Sequence, residues 1–214
     1  MNVRRLAPFV VLAMVCVVLG SASAQTVPAA STTLTPEERE FALKHFETTR
    51  DNFLKSISGL SQKQWAFKPA PDRWSVAEVA EHITVSESML MGLVQKQIMT
   101  SPADSTKRAE VKGKDQMILQ KMPDRSHKAQ APEMLRPTGR WATEADLVKA
   151  FEDSRKTNMD YIRTTNDDLR DHFYSHPVFG ALDGYQWLLL LSSHSARHTE
   201  QIEEVKADPN FPKE

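Results

Sequence analysis

The chain contains four segments in which apolar residues recur at the spacing of an amphipathic α-helix. The first begins with a capping box formed by Thr35 and Glu38 and ends at Gly59. The second begins with a similar box at Ser75 and runs to about Thr100. Charged residues separate the apolar positions in each segment, so one face of each helix is expected to be buried.

Two further helices are predicted in the second half of the chain. One begins at Thr143, with Asp146 three residues later, and runs to about Thr165. The other covers residues 184–206 and starts with the very apolar run GYQWLLLLSS. No segment alternates between apolar and polar residues over a length typical of a strand. The pattern therefore predicts an all-α fold, a four-helix bundle.

The predicted connections differ in length. Residues 60–74 carry a short capping box and two prolines, which prevent a long helix there. Residues 101–142 contain four prolines and little apolar sequence, apart from a short helix near residues 116–122. This segment is longer than an ordinary loop, and we expect it to cross the bundle surface between the second and third helices. Residues 166–183 form the last connection.

The first 24 residues have the three parts of a secretory signal peptide. Arg4 and Arg5 precede an apolar stretch of 14 residues, which ends in small residues up to Ala24. That stretch is shorter than the roughly 20 residues that span a bilayer. Cleavage after Ala24 would leave a polar tether, residues 25–34, and a domain at residues 35–208. We expect a periplasmic or secreted protein without a membrane span after cleavage; the alternative is an uncleaved anchor.

Composition narrows the possible chemistry. Cys16 is the only cysteine and leaves with the predicted signal peptide, so the mature chain would have neither a disulfide nor a thiolate ligand. A metal site would then need His, Asp or Glu. The whole chain has 27 basic and 28 acidic residues, and loss of Arg4 and Arg5 increases the acidic excess. A nucleic acid is therefore not the expected partner.

Three histidines lie on faces that the periodicity places inside the bundle. His194 and His198 are one helical turn apart, so that both rings can reach one ion. His82 lies on the buried face of the second helix. Ser195, rather than a glutamate, follows His194, so the zinc-protease pattern HExxH is absent. The histidines predict an open three-ligand metal site. For the pair His194 and His198 the alternative is two partly buried rings that are hydrogen-bonded to backbone carbonyls or to acids on neighbouring helices.

Other polar residues have two interpretations each. Glu78 lies one turn before His82 and is a candidate to orient a ligand or accept a proton, but it is also the third residue of a capping box. Gln201 either contacts a metal ligand or is an amide at the edge of the core. Arg155 and Tyr161 either face the cavity or have surface and packing roles.

Four runs of sequence resemble the DinB/YfiT-like superfamily, specifically its DinB-like domain: WSVAEVAEHI, APEMLRP, HPVFGALDGYQWL and HSARHTEQI. The resemblance covers about residues 37–206. It implies a four-helix bundle with a metal bound by His82, His194 and His198. Zinc or nickel is the expected divalent ion, although three neutral imidazoles also suit iron or copper.

The resemblance implies two kinds of enzyme, hydrolases and transferases that use low-molecular-weight thiols. Export disfavours the transferase, because cytosolic thiol cosubstrates are not expected in quantity outside the inner membrane. We therefore predict a metal-dependent hydrolase with a small-molecule substrate of unknown identity. The alternatives are a non-catalytic metal or small-ligand binding module, a thiol-dependent transferase, and a helical interaction domain without metal. The apolar fourth helix would also allow a homodimer.

Overall fold

The structure is a computed structural model that describes Met1, residues 33–127 and residues 130–213. The predicted signal peptide beyond Met1, and tether residues 25–32, lie outside the described residues. Across the described ranges, no helix combines the length and the apolar character that a membrane crossing requires.

Helices make up most of the described chain. In order, the α-helices are α1 (Pro36–Ile57), α2 (Gln62–Ala66), α3 (Val76–Leu93), α4 (Arg108–Val111), α5 (Lys114–Lys121), α6 (Glu144–Thr164) and α7 (Gly184–Lys206). Helix α3 continues as a π-helical turn, Val94–Ile98, and short 3-10 turns occur at Ser105–Lys107 and Glu133–Leu135. The four long helices α1, α3, α6 and α7 are those that the periodicity predicts, and the bundle is confirmed.

Capping boxes fix where most of the long helices begin. The side chains of Thr35 and Ser75 each accept a hydrogen bond from the backbone N–H three residues later, and a glutamate there bonds back to the cap. Asp183 and Gln186 form a further box at the start of α7. At α6, the side chain of Thr143 accepts a hydrogen bond from the backbone N–H of Asp146.

A short β-hairpin precedes α7, in the segment that the sequence pattern places in a connection. Strand β1 (Phe173–His176) pairs antiparallel with β2 (Gly180–Asp183). Gly180 has a φ of +67°, a conformation that suits glycine at the turn. The indole N–H of Trp187 donates to the carbonyl of Tyr174 at 3.1 Å, which holds the hairpin against α7. Strands of four residues are too short to show a period of two.

The order of the long helices around the bundle differs from their order in the chain. Helix α1 packs against α6 and α7, and α3 packs against the same two helices. Consequently α1 and α3 occupy diagonal corners, as do α6 and α7. The contact between α3 and α7 is the one that brings the predicted histidines together.

Two apolar clusters are separated by a layer of polar side chains. Phe46, Met91 and Met159 belong to one cluster, and Phe53, Ile83 and Phe151 belong to the other. Each long helix contributes buried polar residues, and we call four of them, one from each helix, the polar layer: Thr49, Glu87, Arg155 and Ser195.

Hydrogen bonds connect all members of the polar layer. Arg155 is fully buried and donates to Glu87 through Nε at 3.0 Å and through Nη2. It also donates to Thr49 Oγ1 at 2.7 Å and to Ser195 Oγ at 2.9 Å. Ser195 in turn donates to Glu87 Oε1 at 2.8 Å. Of the two interpretations of Arg155, the structure shows the packing role, in which the side chain is buried between the long helices.

Candidate metal centre

Helices α3 and α7 bring the three predicted histidines into one cluster. His82, His194 and His198 each offer a ring nitrogen, and these nitrogens all lie within 4.8 Å of one another. The ring centroids are 4.4 to 5.0 Å apart. His82 is buried, whereas His194 and His198 are partly exposed.

A hydrogen bond from His82 to the crossover determines which ring nitrogen carries the proton. Nδ1 of His82 lies 2.8 Å from the carbonyl oxygen of Leu135, which belongs to the 3-10 turn of the crossover. A carbonyl oxygen can only accept, so Nδ1 must carry the proton. In the neutral ring Nε2 then carries no proton, and its lone pair is available to bind a metal.

The ring of His198 is oriented in the same way by an amide. Nδ1 of His198 lies 2.8 Å from Oε1 of Gln201. Arg125, from the crossover, donates to the same oxygen at 3.2 Å and pairs with Glu204 at 2.7 Å. Since this oxygen accepts from Arg125, it also acts as the acceptor for His198, whose Nε2 is left unprotonated. Gln201 thus contacts a ring of the histidine cluster.

The two unprotonated nitrogens face each other. Nε2 of His82 and Nε2 of His198 are 3.2 Å apart. Two lone pairs at this distance repel unless a positive charge lies close to both. Two nitrogen ligands at about 2.1 Å from a tetrahedral ion are about 3.4 Å apart, which is near the observed separation. The donor set therefore fits a metal ion.

His194 completes the set with a buried nitrogen. Its Nδ1 has no hydrogen-bond partner among the described residues. A buried polar atom without a partner costs about 1–3 kcal/mol, and such atoms are uncommon in folded proteins. A cation coordinated by this nitrogen would compensate this cost.

Burial keeps the three imidazoles neutral. Desolvation lowers the pKa of His82, although its hydrogen bond to the Leu135 carbonyl opposes the shift. The pKa values of His194 and His198 lie well below the ordinary value, first because of burial and then because of the neighbouring histidines. Metal ligation requires the neutral ring, so the environment favours ligation over protonation.

The remaining predicted candidates have contacts outside this cluster. Glu78 accepts from the backbone N–H of Ser75 at 2.8 Å and pairs with Lys68 at 2.9 Å, which are the contacts of a helix cap. The hydroxyl of Tyr161 donates to Asp167 at 2.6 Å. No contact in the described chain connects Glu78 or Tyr161 to the histidines.

Two cavities lie elsewhere on the bundle. One, of about 470 Å³, is lined by charged residues of α1 and α6, including Arg50 and Lys156. The other, of about 290 Å³, is lined by Trp65, Glu78 and Trp141 among others. Neither of these two cavities has a histidine in its lining.

Two residues of the crossover act on the histidines, Leu135 directly and Arg125 through Gln201, and the sequence pattern does not reveal them. The carbonyl of Leu135 carries no side-chain signature, and Arg125 lies in a segment without periodicity. The APEMLRP run is the nearest available signal, since its Leu135 is the residue that accepts from His82.

Comparison with known proteins shows what this chain is similar to. The family model described as DinB superfamily matches residues 45–202. The uncharacterized protein YuaE of Bacillus subtilis (strain 168) is 23% identical over 161 residues, which cover 75% of this chain and 94% of that protein. The solved structure of YfiT from Bacillus subtilis, described as a probable metal-dependent hydrolase with an unusual four-helix bundle topology, aligns with a TM-score of 0.52. That alignment covers 84% of this chain and 92% of YfiT at 13% identity, so it shows a common fold.

Proposed function

The chain belongs to the DinB superfamily, and we propose that it is a metal-dependent hydrolase whose ion is held by His82, His194 and His198. The observation that carries the proposal is the 3.2 Å approach of two ring nitrogens whose protons lie on the opposite side of each ring. The description of YfiT as a probable metal-dependent hydrolase supports the reaction class.

The protein groups have separate tasks in this proposal. His82, His194 and His198 supply neutral nitrogens, and Leu135 and Gln201 hold two of the rings in the required orientation. A bound ion supplies Lewis acidity, which polarises a carbonyl or phosphoryl group and acidifies water. In this proposal a substrate reaches the cluster past His194 and His198, which are partly exposed. Zinc or nickel is the proposed ion, because imidazole suits both.

The metal content of the purified protein tests the proposal. We expect about one equivalent of zinc or nickel per chain in the wild type, and less than about a fifth of that in His194→Ala. His127→Ala is the matched control, because His127 is an exposed histidine outside the cluster. Unchanged metal in His194→Ala, or a wild type that stays empty in excess zinc, would contradict the proposed site.

The second candidate is a non-catalytic metal-binding module. It is favoured by the enclosure of two rings, since His82 is 2% exposed and Nδ1 of His194 is buried. Cobalt-substituted protein separates the two candidates, because an open coordination position lets added azide change the visible spectrum. A spectral change with saturable dependence on azide supports the hydrolase, whereas an unresponsive spectrum supports a closed structural site.

We also propose that the protein is exported. The support is in the sequence, where Arg4 and Arg5 precede a short apolar stretch that ends at Ala24. Protein isolated from the periplasm is expected to begin at Gln25. An intact N-terminus in the membrane fraction would instead favour the uncleaved anchor.

A further inference from the structure

His176 lies at the end of β1, in the hairpin that packs on the first turn of α7. Its ring packs at a tilt against Phe179 and Trp187, with centroid distances of 5.0 and 5.4 Å. The side chain is partly exposed. The position of His176 is thus held by aromatic contacts on two sides, and one part of the ring reaches solvent.

The turn of the hairpin determines which nitrogen of His176 carries the proton. The backbone N–H groups of Val178 and Phe179 donate to Nδ1 at 3.1 and 3.3 Å. A nitrogen that accepts from two N–H groups must be unprotonated, so the proton is on Nε2. Burial lowers the pKa of His176, which favours this neutral form. The ring therefore presents one fixed N–H donor.

This donor has no acceptor among the described residues, and the ring that carries it contacts Trp187 of α7. Trp187, which the ring contacts, shares one face of α7 with His194, two turns further along the helix. The His176 ring therefore lies along the α7 face that carries the proposed metal site, about two helical turns from His194, and its N–H is not used by the protein itself.

We propose that Nε2–H of His176 donates a hydrogen bond to a second oxygen-bearing group of the substrate, such as a carboxylate or carbonyl, while the first group is held at the three-histidine cluster. This inference rests on the proposed function and adds a substrate class to it: small molecules with two separated oxygen-bearing groups. His176 is then a specificity-determining residue, because substrates without the second group leave its N–H unpaired.

A purely structural role would use only part of the side chain. The turn needs an acceptor at the position of Nδ1, and the stacking needs a flat ring. In His176→Asn, the amide oxygen can replace Nδ1 as the acceptor in the turn, but nothing replaces the Nε2–H donor. His176→Gln offers an amide N–H that can extend to about the position of Nε2. These two variants separate the turn from the donor.

The test uses zinc-loaded full-length protein and a series of carboxylate probes. Isothermal titration calorimetry gives Kd values for acetate and for malonate, succinate and glutarate, with zinc content and Tm measured on every sample. We expect at least one dicarboxylate to bind the wild type about fivefold to tenfold more tightly than acetate, as one hydrogen bond allows. His176→Asn should lose this preference while keeping its zinc, its Tm and its acetate affinity, and His176→Gln should recover part of it.

The outcomes distinguish this inference from the proposed function. If the wild type binds zinc and acetate but no dicarboxylate more tightly, or if His176→Asn keeps the preference, the role of His176 is overturned and the metal site stands. If the wild type binds no zinc, both proposals fail together. If His176→Asn loses stability, His176→Gln decides: a stable Gln variant without any dicarboxylate preference overturns the donor role.

Discussion

Single hydrogen bonds set the proton positions of the histidines in this bundle. The Leu135 carbonyl and the Gln201 amide place the protons of His82 and His198 on Nδ1, so their Nε2 lone pairs face the cluster. Two backbone N–H groups place the proton of His176 on Nε2. The same side chain is therefore presented as an acceptor in α3 and α7 and as a donor in the hairpin.

The buried pair of Arg155 and Glu87 leads to a prediction about stability. Arg155→Met would leave the Glu87 carboxylate buried without its partner, and we expect a loss of about 3–5 kcal/mol. The double variant Arg155→Met with Glu87→Leu should lose less than the single variant, since neither charge remains. Urea unfolding of wild type, both single variants and the double variant measures this coupling. Losses that simply add would contradict an interacting pair.

His45 gives a prediction about pH. Burial, and then the nearby Arg155 charge, lowers its pKa to about 4, while Nε2 lies 3.0 Å from Ser193 Oγ. In the unfolded chain His45 has its ordinary pKa of 6.5 and takes up a proton at a higher pH than in the folded chain. The contribution of neutral His45 to stability is therefore complete above pH 6.5. It should fall as the pH drops from 6.5 to about 4. In His45→Gln the fall should be shallower.

Urea unfolding at several pH values in the presence of a chelator checks this difference. The histidines of the cluster titrate in both proteins, so their contribution cancels in the comparison. Parallel stability curves for wild type and His45→Gln would show that His45 does not carry the effect.

At the scale of the elements, the crossover and α7 together orient the proposed ligands. Arg125 contacts Gln201, which in turn accepts from His198. We expect Gln201→Ala to weaken zinc binding about 10-fold to 100-fold, the usual cost of removing a group that orients a ligand. Glu200→Ala is the matched control, because Glu200 is exposed on the same helix. Competition with a chromogenic chelator measures both affinities, and equal values would remove Gln201 from the site.

The sequence predicts the elements that local physics determines. Capping residues such as Thr35 and Ser75 define helix starts through contacts within one turn, so the long helices are found where the pattern places them. The clustering of His82, His194 and His198 also follows from periodicity once the helices form a bundle.

Other features depend on contacts between distant parts of the chain. The Leu135 carbonyl meets His82 across the crossover, and no residue type signals a backbone acceptor. The hairpin has strands too short to alternate. Arg155 could have been recognised as buried, because it lies four residues from both Phe151 and Met159, which belong to the apolar face. Its charge suggests a surface position only until Glu87 is known to be opposite.

At the scale of the whole molecule, metal binding should stabilise the fold. The cluster joins α3 to α7, so an ion bound only by the folded chain shifts the unfolding equilibrium. At about 100 times the Kd the expected gain is about 2.7 kcal/mol. Thermal unfolding with zinc and with a chelator measures it, and His194→Ala should show almost no difference between the two. An equal shift in that variant would indicate binding elsewhere.

The diagonal placement of α1 and α3, and of α6 and α7, also affects how the chain folds. Among successive long helices, only α3 and α6 are in extensive contact, and the segment 94–143 separates them. Each docking step must therefore close a long loop before burial compensates its entropy. We expect refolding, followed by stopped-flow fluorescence, to be slower than in bundles of similar size whose successive helices pack as hairpins. During that delay the apolar run of α7 stays uncovered, so dilute solution and chaperones should raise the yield of native protein.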